Sequence, residues 1–546
     1  MRRWNGWGDE ANKMDMPASG NEFLKDLVGT GVPIADVDLD SVMAKVPASR
    51  LPEHPLISTD AEQRVRHARG QSLPDWLAMR GGNYEYFPDG VAFPETKDQV
   101  AELVSFCHEK NIVLIPYGGG TSVAGHINPF NSGRPILTLS LARMNRLLEL
   151  DTESQLATFG PGTPGPMVES QLRAKGYTLG HYPQSFELAT LGGWVASRSS
   201  GQQSLRYGRI ENMFAGGTVE TTKGRLELQT LPASAAGPDI REMVLGSEGR
   251  LGVISEVKAR VTPIAEKEDF YVIFFPSWAQ GKDAAKALVQ TKVQLSMLRL
   301  SNAIETVTQL ALAGHPGQIA LMEKYLGFRG AAEGKCMMTL GVTGNADQCK
   351  AAHRLMKKVI SPYKGIYTGT YLGKKWAEKR FMMPYLREAL WEQGYVVDTL
   401  ETCTDWDNVD NLLNQMEESL RHALADENEK VHVFTHLSHF YAQGSSIYTT
   451  YVYRAGSSCE QALARWKKLK YPTSELIVNN RGTISHQHGV GKDHAPYLPT
   501  EKGELGINLI RTLCHSMDEK GILNPGTLLT DESIVVDENV SGQNHE

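Results

Sequence analysis

Apolar positions along this 546-residue chain fall alternately at helical and at strand spacing. Thr96, with Gln99 three positions on, carries a capping-box signature. Val100, Leu103, Val104 and Cys107 then line one helical face. The apolar run at 112–115 predicts a strand, and 136–141, 155–159 and 253–261 read the same way. A short helix is expected over 166–175, and Asp239 opens another that Gly246 stops. Beyond about residue 265 the punctuation changes. Strands are expected at 271–275, 337–343 and 446–453, with helices at 282–291, 351–360 and 409–425. In the last of these Val409, Leu412, Leu413, Met416 and Leu420 share a face. The closing stretch, 501–529, reads as a helix followed by the turn Asn524-Pro525-Gly526, and the polar tail at 536–546 is expected to fray.

This alternation predicts an α+β protein of several parts. Residues 1–85 read as an N-terminal extension with helical pieces, and 86–265 as a tighter α/β unit. Residues 266–480 read as a separate α+β unit for substrate, and 481–546 as a C-terminal segment that completes the active site. The length exceeds what one hydrophobic core serves. With 41% hydrophobic and 22% charged residues the chain has the composition of a soluble globular protein. A formal net charge of −7 argues against nucleic acid as a partner, since phosphate backbones call for a basic stripe. Six scattered cysteines suit reduced thiols, and the start lacks the apolar core of a signal peptide. No run approaches the ~20 apolar residues that span a bilayer. A cytoplasmic location is expected, with peripheral membrane contact left open.

Two glycine-dense loops carry the strongest chemical signal. Pro116-Tyr117-Gly118-Gly119-Gly120-Thr121-Ser122 follows a strand, and Gly246-Ser247-Glu248-Gly249-Arg250-Leu251-Gly252 precedes one. Bare backbone of this kind lets a diphosphate lie on N–H groups, and the two hydroxyls add donors. Between the loops lie Gln184, Ser185 and Thr190, then Ser197, Arg198, Ser200 and Gly201. Small residues at this density let backbone approach a planar ring. A third match, Gly160-Pro161-Gly162-Thr163-Pro164-Gly165, fits the dinucleotide fingerprint, but Pro161 and Pro164 cannot donate where that fold needs amides. In the C-terminal half His486 and His488 stand two apart beside glycines. By spacing they could bind zinc with His494, or satisfy buried carbonyls.

In this order the Gly-Gly-Gly-Thr-Ser loop, the polar segments and Gly-Ser-Glu-Gly-x-Leu-Gly resemble the PCMH-type FAD-binding domain of the vanillyl-alcohol-oxidase superfamily. Within it the chain is most similar to the alkylglycerone-phosphate synthase family, from Trp4-Asn5-Gly6-Trp7-Gly8 to Asn524-Pro525-Gly526. The resemblance implies two α+β subdomains clasping FAD beneath an α+β cap. It implies exchange of the acyl chain of acyl-dihydroxyacetone phosphate for a fatty alcohol, in ether-lipid synthesis, with no net redox change. The alternative is an FAD-dependent oxidoreductase of a 2-hydroxy acid or polyol. Carried over residue by residue, the family's catalytic tyrosine is Tyr448, its phosphate-holding arginine Arg387, and its histidine run His486, Gln487 and His488, with no metal. Gln487 departs from the pattern and cannot carry a proton at neutral pH. Tyr448 needs nearby positive charge for acid–base work and could equally be a core aromatic. Arg387 suits phosphate or carboxylate alike. His436 and His439 are expected to face substrate, and all four histidines could converge. A small-molecule or lipid substrate and a homodimer complete the expectations.

Overall fold

The computed structural model describes residues 1–313 and 316–530. The expected frayed tail at 536–546 lies outside the described residues, as do residues 531–546 of the C-terminal segment generally. Three larger sheets and one two-stranded pair, Thr262–Pro263 with Tyr177–Thr178, carry the α+β architecture of the described residues. The first has four strands, in the order Ile57–Ser58, Gly90–Ala92, Ile136–Ser140, Val113–Tyr117, the last three mutually parallel. The second is an antiparallel sheet of five, Leu147–Asp151, Leu156–Phe159, Val253–Arg260, Phe214–Thr221 and Gly224–Leu228. The third, also antiparallel, has seven strands, with Met297–Ser301, His432–Phe440, Gly444–Arg454 and Tyr395–Asp405 adjacent in that order.

The first sheet explains how the glycine loop is presented. Thr96 caps the helix Lys97–Lys110 by accepting from the Gln99 amide at 3.2 Å, and the Gln99 side chain turns back to the Glu95 amide. Val100, Leu103, Val104 and Cys107 are buried against Leu114, Leu137 and Leu139, each large side chain contributing about 1.5–3 kcal/mol by leaving water. That core fixes Val113–Tyr117, and the chain leaves its C-terminal end as the Gly118 loop. The fingerprint-like turn at 160–165 is structural. It joins Leu156–Phe159 to the helix Gly165–Arg173, and Pro164 bridges to Thr190.

Strands Met297–Ser301, Tyr395–Asp405 and His432–Phe440 escaped the sequence pattern, as did the 21-residue helix Cys459–Asn479. The strands place Arg299, Glu401 and His436 where alternation would call for apolar residues. The helix contains Pro472, which interrupts helical signals because it lacks an N–H. The helix Val409–His422 buries the predicted apolar face. All six cysteines are free thiols. Among the described residues no helix is long and apolar enough to cross a membrane.

Candidate active site

A cavity of about 1320 Å³ runs from the Gly118 loop to the seven-stranded sheet. One end is a backbone cradle lined by Pro116, Tyr117, residues 118–122, Gln184, Ser185, Thr190, Ser197, Ser200, Glu248, Gly249 and Gly252. The five amides of residues 118–122 donate to no other described residue. Trp194 also lines the cavity, and its buried indole N–H has no acceptor. A row of unpaired donors beside empty space fits a diphosphate and the polar edge of a ring system. The glycines have a second reason. A Cβ on Gly118 would meet Thr190 Oγ1 at 2.4 Å, and one on Gly119 the Leu188 carbonyl oxygen at 1.9 Å. Their missing side chains let the two loops touch.

The sheet register assembles the opposite wall. Tyr448 pairs with His436 on one neighbouring strand and with Glu401 on the other, so three side chains stand abreast on one face. The Tyr448 ring stacks on His436 with centroids 4.9 Å apart, and lies edge-on to His488 at 6.1 Å. His439, three residues past His436, would face away in a regular strand. A bulge between Ser438 and Phe440, with His439 at φ 49°, turns its ring back into the cavity, where Nδ1 lies 3.0 Å from Ser200 Oγ.

Buried carboxylates organise these rings. Glu401 accepts the Gln487 and His488 amides at 2.7 and 3.1 Å and lies 3.4 Å from His488 Nδ1. Burial alone would raise its carboxyl, but His488, His486 and the Gln487 amide hold it well below the ordinary range. Glu305, paired with Arg299 and 3.2 Å from His436 Nδ1, is held at about 2 by His436 and Arg299 against burial. Burial and Arg299 lower His436 in turn. Glu248 ties the second glycine loop to the histidine turn. It accepts the Val490 and Gly491 amides and lies 3.1 Å from His126 Nε2, while His126 Nδ1 meets Ser122 Oγ at 2.6 Å. None of these carboxylate–histidine pairings had a sequence signal, because each joins segments far apart in the chain.

Arg387 and a group of apolar side chains also line the cavity. Arg387 is half-buried and is not paired with Glu388 or Glu392 on a surface. Its guanidinium stacks on Trp76 at 4.7 Å and donates one bond, to the Gln71 carbonyl at 2.7 Å. Nε and Nη2 are unpartnered. The apolar lobe is walled by Met14, Met16, Phe23 and Leu24 of the N-terminal extension and by Leu312, Met322, Met337, Leu386 and Leu390. The extension is therefore part of the site.

Several expectations need correction. Arg198, Gly201, Gly246, Ser247 and Leu251 do not line the cavity. Arg198 ends the helix Leu191–Ser197 and pairs with Glu242 at the surface. Gly201 packs on the Tyr182 backbone, Gly246 on the Arg198 side chain, Ser247 sits in the turn, and Leu251 joins a core with Leu498 and Ile507. His486 is set behind the wall, held by Arg209 and Tyr441, while Gln487 lines the cavity in its place. Positive charge does not prevail at Tyr448: burial, with Glu401 and Asp398, pushes the phenol up to about 12 against the lowering effects of Thr399 and Arg299. Of the four histidines, His439 and His486 have ring centroids 5.0 Å apart while His436 and His488 each contact the Tyr448 ring, and the described residues contain no group of three or more ligands placed for a metal.

A glycine cradle of unpaired amides facing a wall of tyrosine and histidine is a flavin site, and the comparisons agree. The FAD binding domain family matches residues 88–228, and the C-terminal domain of FAD linked oxidases matches 264–528. The chain belongs to the PCMH-type FAD-binding superfamily, and its cofactor is FAD. Within that superfamily it is an alkylglycerone-phosphate synthase-like member. The alkyldihydroxyacetonephosphate synthase of Dictyostelium discoideum is 29% identical over 96% of this chain and 93% of its own. That of Trypanosoma brucei brucei is 28% identical over 96% and 92%. A solved alkyldihydroxyacetonephosphate synthase superposes with a TM-score of 0.82, at 26% identity, over 96% of this chain and 98% of its own. The mitochondrial cytochrome-type D-lactate dehydrogenase of Arabidopsis thaliana is a more distant relative, 23% identical over 87% of this chain and 78% of its own.

Proposed function

We propose that the protein exchanges the acyl chain of acyl-dihydroxyacetone phosphate for a fatty alcohol. The observation that carries this reading is the continuity of one cavity, from the flavin cradle past Tyr448 and His488 to an unpaired guanidinium and an apolar lobe. A small hydroxy acid would use the guanidinium but leave the lobe empty, whereas a phosphate with a long hydrocarbon chain uses both. Bound FAD supplies an electrophilic ring and a temporary electron sink. Arg387 offers its guanidinium to the phosphate, and its stacking on Trp76 holds the fork in place. Keeping Tyr448 as a phenolate at neutral pH would cost about 7 kcal/mol, so in this reading it donates its proton to the reacting oxygen. His488, backed by the Glu401 carboxylate, takes and returns the substrate proton. The lobe excludes water from the exchange. The same reading takes the protein as a cytoplasmic homodimer that meets its lipid substrates at a membrane surface.

Purified protein should be yellow. With palmitoyl-dihydroxyacetone phosphate and labelled hexadecanol it should release palmitate and form the labelled alkyl product while the flavin stays oxidised. Anaerobic bleaching by a 2-hydroxy acid, with no alkyl product formed, would overturn the transferase reading in favour of a dehydrogenase.

A further inference from the structure

Arg209 lies between the flavin cradle and the histidine turn, and its contacts constrain a proton. Nη1 is 2.7 Å from His486 Nε2 and 3.1 Å from the Tyr441 hydroxyl. Nη2 donates to the carbonyls of His486 at 2.9 Å and Arg198 at 3.1 Å, and Nε pairs with Glu211 at 2.7 Å. A guanidinium has five donors and no acceptor. An imidazole nitrogen 2.7 Å from it must therefore offer a lone pair, because a proton there would point at another proton. The Tyr441 hydroxyl, 2.7 Å from the same Nε2, accepts from Arg209 and shares the single lone pair of Nε2 with it as a bifurcated donor. The single proton of His486 then sits on Nδ1, whose nearest carboxylate oxygen is Glu401 Oε2 at 3.8 Å.

We infer that Arg209 is a positioning residue: it fixes His486 as a neutral Nδ1–H imidazole and so leaves the mobile proton of the cluster to the Glu401–His488 pair. The charged and titratable groups around His486 agree. Arg209 and Tyr441 face its Nε2, Glu401 faces Nδ1, the His439 ring lies 5.0 Å away, and His488 shares its turn, with Glu211 and Cys403 beside the guanidinium. Burial disfavours the charged form of both His486 and His439. Gln487, between the two histidines, has no proton to exchange. Of the run, His488 combines a place on the cavity wall with a carboxylate behind it. The bond to the Arg198 carbonyl makes the same guanidinium a tie between cradle and catalytic turn.

The structural part of this inference stands apart from the transfer reading; its kinetic arm rests on it. The test is the imidazole ¹⁵N spectrum of histidine-labelled holoprotein, with His486 assigned by its loss in His486→Gln. His486 should be a neutral Nδ1–H ring from about pH 5.5 to about 8.5, and in Arg209→Met it should take up a proton more readily and lose the single-tautomer signal. A wild-type His486 that carries its proton on Nε2, or becomes cationic in the window, overturns the proposal. So does an Arg209→Met holoprotein with an unchanged His486 signal. If Arg209→Met yields no holoprotein, the wild-type spectrum decides, and Arg209→Lys, which keeps a donor, should preserve the wild-type tautomer. In turnover, Arg209→Met should lower kcat about tenfold or more with KM unchanged and add an ionisation to the kcat–pH profile. A wild-type protein without transferase activity would sink the transfer reading while leaving the tautomer result standing.

Discussion

Gly119 offers the sharpest test of the flavin cradle. An alanine there would place its methyl 1.9 Å from the Leu188 carbonyl oxygen and 2.7 Å from the Leu188 carbonyl carbon. Ordinary contact begins at 3.4 Å, so the two loops must part by about 1.5 Å, and backbone cannot yield as a flexible side chain would. That displacement takes at least one amide of residues 118–122 out of hydrogen-bond reach of the diphosphate. A hydrogen bond to a charged group contributes about 1.5–3 kcal/mol, so FAD affinity should fall by about tenfold to a hundredfold. Apoprotein titrated with FAD, followed by quenching of flavin fluorescence, gives the two dissociation constants. Gly327→Ala is the control: it lies in the helix Pro316–Phe328, where an added methyl meets nothing within 4 Å. A Gly119→Ala protein that binds FAD within about twofold of the wild type would refute the reasoning. The loop glycines would then serve something other than this close approach.

Arg387→Leu should leave the flavin spectrum intact and raise KM for the phosphate substrate by about tenfold to a hundredfold, since at least one charged bond is lost; steady-state kinetics on the holoenzyme will show it. Glu248→Gln leaves one of the Val490 and Gly491 amides without a good acceptor, so stability should drop by about 1–3 kcal/mol in denaturant unfolding and kcat should fall as the histidine turn loosens. Glu305 has a folded pKa of about 2 against an ordinary 4.5. Its stabilisation, about 3 kcal/mol, is therefore fully present above about pH 4.5 and lost as the pH falls towards 2. Glu305→Gln should be less stable at neutral pH and show a shallower acid limb in pH-dependent unfolding.

The α+β class and the cofactor were legible because they are written in local signals. Helical spacing after Thr96, apolar runs and two glycine loops need only their own neighbourhoods to be read. The wall opposite the cradle was legible only in part. His436, Tyr448 and His488 could be named, yet their alignment depends on strand register, and His439 enters through a bulge that no residue type announces. Arg209, Glu305 and Glu401 were missed for a related reason. Each interrupts an apolar pattern or sits in a loop, and its partner lies far away in sequence. Arg198, Gly246 and Leu251 lie off the cavity lining, since proximity in sequence to a loop says nothing about which way a side chain points.

The strand that presents the glycine loop is completed from the other end of the chain. Leu114 bonds through its amide to the Ile522 carbonyl and through its own carbonyl to the Asn524 amide, and Asn524 Nδ2 holds the carbonyls of His126 and Glu248. During synthesis the segment around residue 114 leaves the ribosome long before residue 524 exists. The pocket for the coenzyme therefore closes only once translation has passed residue 524, and loading of the coenzyme belongs among the last events in maturation.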